Sequence, residues 1–263
     1  ITTTADAVGF ATNVTLAKTG GTGLLTINTT SGNAAGNNIT FSSKLDGTTA
    51  WAELLTLNAG TAGNILFAGA VGATGAGSRL GAINITQANN VTESSGITAA
   101  SLTQAAGQGT TTFNGAVNTN TATGVNLTGN AQTVNAGITT TGNGIVTFSN
   151  AGLLTLNADI SADGAVTQNG AATVTIAAPR NITTTSDAVN FLRAVRLNGG
   201  ASGLVNIDTR IGGGAGGDIT FQSTLDATTA APNAETLTLN AGTGGNMLFT
   251  GAVGSGTRLG AIN

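Results

Sequence analysis

Apolar and polar residues alternate along this chain in short bursts, each closed by a cluster of Gly, Asn, Ala, Ser or Thr. Examples are 24–28 (LLTIN), 38–41 (NITF), 54–59 (LLTLNA), 64–67 (NILF), 110–113 (TTTF), 145–148 (IVTF), 153–160 (LLTLNADI) and 172–178 (ATVTIAA). Alternation with a period of two, carried by Thr, Val, Ile and Phe, predicts strands. Somewhat over twenty such segments can be counted. Helical spacing is nearly absent, and Gly at this density would cost a helix up to about 1 kcal/mol at each position. The pattern predicts an all-β fold.

A longer repeat organises the segments. Residues 1–84 return as 182–263: ITTTADAVGF (1–10) as ITTTSDAVNF (182–191), and GNNITFSSKLDGTTA (36–50) as GGDITFQSTLDATTA (216–230). ELLTLNAGTAGNILFAGAVG (53–72) returns as ETLTLNAGTGGNMLFTGAVG (235–254), and RLGAIN closes both copies at 79–84 and 258–263. Length differences fall in Gly/Ala/Ser/Thr stretches, as expected of surface turns. This divides the chain into one full unit, 1–181, and a partial second unit, 182–263, with no separate globular domains. Neither end resembles a polar cap, so the chain reads as a window of a longer polypeptide.

A sandwich or barrel closes after a fixed number of strands and has no reason to repeat so large a block. A right-handed parallel β-helix does, because each coil buries side chains over their equivalents in the next. Phe41, Phe67, Phe113, Phe148, Phe221 and Phe249, with Leu55, Leu57, Leu237 and Leu239, are the expected stacked interior. Coils of about 20 to 25 residues, stacked about 4.8 Å apart, would give about a dozen coils and a rod about 55 to 60 Å long. One large unit would take about eight.

Composition narrows the chemistry. Of 263 residues, 41 are Gly and 49 are Thr; 7 % are charged, and the net charge is -3. An apolar fraction of 40 % separates the chain from disordered sequences. The eight Lys and Arg are too few for a basic face, so nucleic acid is not an expected partner. No apolar run is long enough for a bilayer-spanning helix. Without Cys or His, nucleophilic triads and the commonest transition-metal sites lack their parts.

What remains is thin. Paired carboxylates can hydrolyse glycosides, and Asp159 with Asp163, or Asp6 and Asp187, are the candidates; all read better as corner residues. Arg180, Arg193, Arg196 and Arg210 concentrate positive charge that could clamp an acidic sugar or phosphate, but read better as solvated strand and corner positions. GGAGGDITF (213–221) approaches a calcium-binding nonapeptide yet has Thr220 at the large apolar position, and NAAGNNITF (33–41) has no Asp. Triple-Thr segments at 2–4, 110–112, 139–141 and 183–185 occur too irregularly to predict a water-ordering face. Asn13 and Asn126 open Asn-x-Thr triplets that this composition produces by chance. Trp51, replaced by Ala231 in the second copy, could offer a sugar-stacking platform but reads better as a local insertion contact. No catalytic, cofactor-binding or metal-ligating residue is assigned.

The strings LTLNAG, AASLTQAAGQGTTTFNGAV (99–117) and GITTTGNGIVTFSNAGLLTLNADISADGAVTQ (137–168) resemble the β-strand repeats of giant bacterial extracellular proteins. They are similar to the shafts of filamentous-haemagglutinin-like and other autotransported adhesins. The resemblance implies a β-helical stalk outside the cell or on its surface, non-catalytic, serving attachment, matrix or sheath building. Expected partners are copies of the chain, joined end to end or laterally, and host-cell or matrix glycans. The alternatives are a carbohydrate-active β-helix lyase or hydrolase, and a glycan-binding adhesin module.

Overall fold

The structure is a computed structural model that describes residues 1–18, 23–199, 203–230 and 235–263. The chain is a parallel β-solenoid, in which short strands pass through three walls in turn and pair in parallel with their counterparts in neighbouring coils. Among the described residues the single helical element is a 3-10 turn, Ala76–Ser78.

The first wall is a ten-stranded sheet running from Val8–Phe10 through Ile39–Phe41 and Ile65–Phe67 to Leu225–Ala227, with Val253 bridged beyond Leu225. The second starts at Val14–Leu16 and includes Val117–Thr119, Ile138–Thr140 and Ile160–Ala162. The third starts at Leu24–Asn28 and ends at Met247–Phe249. Two eight-residue strands, Leu80–Gln87 and Ile97–Gln104, turn the corner from the second wall into the third.

Most three-residue strands bury their outer two side chains and turn the middle one outward, the consequence of strand pleating; Val8–Phe10, Val14–Leu16 and Met247–Phe249, near the two ends of the rod, are less covered. Inward residues therefore stack in files. Phe10, Phe41 and Phe67 stack in the first wall with ring centroids 5.1 and 5.5 Å apart. Phe191, Phe221 and Phe249 form the same stack in the third wall, at 5.3 Å. Phe113 and Phe148 are buried as expected but stand outside both aromatic stacks; Phe148 continues the Leu127 file. Offset rings at these distances add about 0.5–1.5 kcal/mol per pair beyond area burial.

That the two Phe stacks occupy different walls follows from the coil count. Starting at Val8, the first wall is met again at Ile39, Ile65, Val91, Thr111, Gln132, Leu154 and Val174, and two more walls bring the chain to Val189, the repeat counterpart of Val8. The large unit thus advances seven full turns and two-thirds of another. Every segment of the second copy lies one wall away from its equivalent in the first. Corner chemistry is nevertheless kept. Buried Thr29 and Thr209 each donate to a carbonyl eight residues ahead (Asn37, 2.9 Å; Gly217, 2.8 Å) and accept from the amide of that residue. Gly36 and Gly216 have φ of +62° and +90°, and a Cβ on either would collide with the Ala59 or Ala241 carbonyl.

Eleven coils stand where about a dozen are expected, and the rod is somewhat shorter than expected. The first wall has eleven levels, so ten spacings of about 4.8 Å give about 48 Å. Successive levels lie 20 to 22 residues apart between Val91 and Val195, but 31 apart from Val8 to Ile39 and 30 apart from Val195 to Leu225. The Gly- and Ala-rich corners of the repeated segments absorb the excess.

Candidate functional site

The carboxylates singled out in the sequence do not converge on one site. Asp159 and Asp163 flank the strand Ile160–Ala162, one at each end, so four residues at about 3.3 Å each hold their Cα atoms about 13 Å apart. Asp159 accepts from the Asn181 amide (2.9 Å) and side chain (3.2 Å), within a file that continues to Asn206. Asp163 accepts from the Asn143 amide and the Thr185 hydroxyl, both at 2.8 Å, and these bonds hold its carboxyl below the usual range. The acid that senses Asp163 is Asp187, whose carboxyl is pushed up by burial and by the Asp163 charge. Asp6 and Asp187 occupy the same turn in the two copies: the hydroxyls of Thr3 and Thr184 donate to their carbonyls, after Ala5 and Ser186 at φ +62° and +73°. These are corner residues.

The four arginines are likewise spread around the rod. Arg180 opens a second-wall strand and donates to the Asn157 carbonyl, 2.6 Å away. Arg193 sits at the corner between the third and first walls and donates to the Ala171 carbonyl at 3.2 Å. Arg196 points outward from the first wall between Thr175 and Asp226. Arg210 pairs with Asp208 at 3.8 Å, the one ion pair among the described residues. Asp218, the acid of the nonapeptide-like segment, accepts from the Asn246 amide (2.7 Å) and side chain (3.1 Å). Its first-copy counterpart Asn38 does the same for Asn64, and Asn64 for Asn90. Among the described residues no three potential ligands gather around a cation site.

The Thr triplets are spread over the three walls, with 139–141 and 183–185 both on the second, yet one outward Thr or Asn per strand does align. Thr92, Thr112, Thr133, Thr155 and Thr175 form an unbroken outward file on the first wall. Thr26, Thr56, Asn84, Thr103, Asn126, Thr147, Thr167, Asn190 and Thr220 do so on the third. Asn126 is a strand position there, and Asn13 is an exposed corner residue.

Sequence reasoning passed over the glutamates. All three, Glu53, Glu93 and Glu235, are 0 % exposed. Glu53 accepts from the Thr48 hydroxyl (2.8 Å) and the Thr49 amide (3.1 Å); burial pushes its carboxyl up, but these bonds outweigh it and hold it below the usual range. Glu235 repeats the arrangement with Thr228 and Thr229, and adds the Gly199 amide at 2.9 Å. Glu93 takes a place in the first-wall aromatic file, paired between Phe67 and Phe113, and accepts from the amides of Ser95, Gly96 and Gly115. A carboxylate accepting backbone N–H groups is how a buried charge is accommodated without a cation. For Glu53 and Glu235 the available signal was the recurrence of Glu two positions before LTLNA in both copies.

Trp51 is half-buried at φ +66°, with the Arg79 guanidinium 5.1 Å from its ring centroid and its amide donating to the Arg79 carbonyl at 2.9 Å. Both border an open groove of about 490 Å³ on the second wall, lined further by Thr98, Asn118, Asn120 and Thr139. Ala231, the counterpart of Trp51, lies outside the described residues. No described helix is long and apolar enough to cross a membrane. Comparison with protein-family models, curated proteins and solved structures finds no match.

Proposed function

We propose that this chain is a structural segment of an extracellular or cell-surface fibrous protein, a stiff non-catalytic rod used in adhesion or in building a matrix or sheath. The observation that carries the reading is the unbroken parallel pairing of all three walls from one end to the other. Bending such a rod strains backbone hydrogen bonds that run along its axis, while the stacked interior keeps neighbouring coils in register. The acids and arginines that a polysaccharide-cleaving site would need are spent on corners and files. The outward Thr and Asn files carry little charge, so weak repulsion opposes lateral association between rods.

Electron microscopy and small-angle scattering of the purified chain test this. The expected result is rod-shaped particles that join laterally or end to end into threads as concentration rises. Monodisperse particles that never associate, or release of reducing ends from polysaccharides on incubation, would overturn it.

A further inference from the structure

We infer that the groove beside Trp51 and Arg79 is a binding site for a carboxylate-bearing glycan, a feature the repeat itself does not require. A bulky residue at positive φ is uncommon, and such outliers gather at ligand-binding positions. Trp51 holds this conformation at the mouth of a groove. The repeat supplies no tryptophan at the matching place, so the coil geometry does not demand one.

The groove is built by an excursion of the second wall. The chain leaves that wall at Val71 and rejoins it at Leu80, and Asp46 anchors the intervening loop by accepting from the Thr74 hydroxyl. This brings Arg79 beside Trp51. Next to them Thr98, Asn118 and Thr139 form an outward file over three successive coils, about 10 Å long at the strand spacing. The lining contains one cation and no carboxylate. The Arg79 guanidinium faces the indole and has no acidic partner among the described residues. A planar guanidinium suits a carboxylate, the indole suits the apolar face of a sugar ring, and the amides and hydroxyls suit ring hydroxyls. Their linear arrangement along the axis suits an extended chain. A uronate-containing oligosaccharide combines these three chemistries, and the site is independent of whether the rod assembles into fibres.

Trp51 is the one Trp in the chain and there is no Tyr, so tryptophan emission reports this groove alone. Oligogalacturonate, neutral dextran and dextran sulfate are titrated into the full chain while that emission is followed. The expected result is a saturable change with oligogalacturonate and none with dextran. Arg79→Gln should weaken it about ten- to a hundredfold, the loss of a charge-assisted hydrogen-bond pair. Asn118→Ala, on a separate strand, should weaken it about three- to tenfold, with the circular dichroism spectrum of both variants unchanged. Failure of oligogalacturonate to alter the emission, an equal response in Arg79→Gln, or a response to dextran sulfate alone would each overturn the assignment.

Discussion

Glu93 offers the sharpest test of how the solenoid turns its corners. The residue stands in the first-wall file between Phe67 and Phe113, where an apolar side chain would fit the column, and it is fully buried. Its two oxygens take the amides of Ser95, Gly96 and Gly115. Ser95 is exposed and can turn to water after the carboxylate is removed, whereas Gly96 is buried and Gly115 half-buried. Each buried amide left without an acceptor costs about 1–3 kcal/mol. Glu93→Ala should therefore lose about 2–6 kcal/mol from the coils it joins, with a further loss from the void beneath Phe67. Glu93→Gln keeps the shape and one acceptor oxygen, but must present its NH2 to one set of donors, and should lose about 1–3 kcal/mol. The assay is a urea denaturation series combined with residue-resolved amide exchange at Gly96 and Gly115. Both amides should exchange faster in the Ala variant; in Gln, mainly one. If Glu93→Ala moves stability by no more than an ordinary surface change, about 0.5 kcal/mol, and leaves both amides protected, the corner does not depend on the carboxylate.

Phe41→Ala and Phe221→Ala, each the centre of an aromatic stack, should cost similar amounts of about 3–5 kcal/mol although they sit in different walls; calorimetric unfolding of the two variants compares them. Gly36→Ala should destabilise by about 1–3 kcal/mol through its positive φ and the Ala59 carbonyl, while Gly75→Ala, with open space around its Cβ and extended backbone, should be neutral in the same melts. Glu53 and Asp163 have depressed folded-state pKa values, so their contribution is complete above the ordinary carboxylate range near pH 4 and is lost as pH falls through the folded values. Melts at stepped acid pH should show a shallower decline in Glu53→Gln than in the parent. Asp187 has the opposite sign: its ionisation costs stability as pH rises through its raised value. Asp187→Asn should therefore raise the melting temperature at neutral pH and lose that advantage in acid.

Alternation made the strands and their buried positions legible, since a period of two assigns each side chain to the inside or the outside without reference to its wall. Leu55, Leu57, Phe41 and Phe221 are accordingly buried. Which wall a segment joins was not legible, because that depends on the summed length of every preceding corner. Val8 and Val189 look identical in sequence and lie on different walls. Which acids lie near one another was not legible for a related reason. Asp159 and Asp163 are near in sequence, but an extended strand separates them, while Asp163 and Asp187, 24 residues apart, are brought close by one coil. The buried glutamates escaped notice because their partners are backbone amides, which carry no residue signature, and hydroxyls of Thr, a residue found throughout this chain.

The two-thirds turn left over in each large unit has an effect on whatever the unit displays. A third unit in series would lie one wall further round, and a fourth would return to the setting of the first after 23 coils, about 110 Å along the axis. Any knob or groove borne once per unit would then follow a single spiral staircase of three steps per repeat, visiting every side equally. Such a strut has no preferred side to stick by and no weak direction in which to buckle.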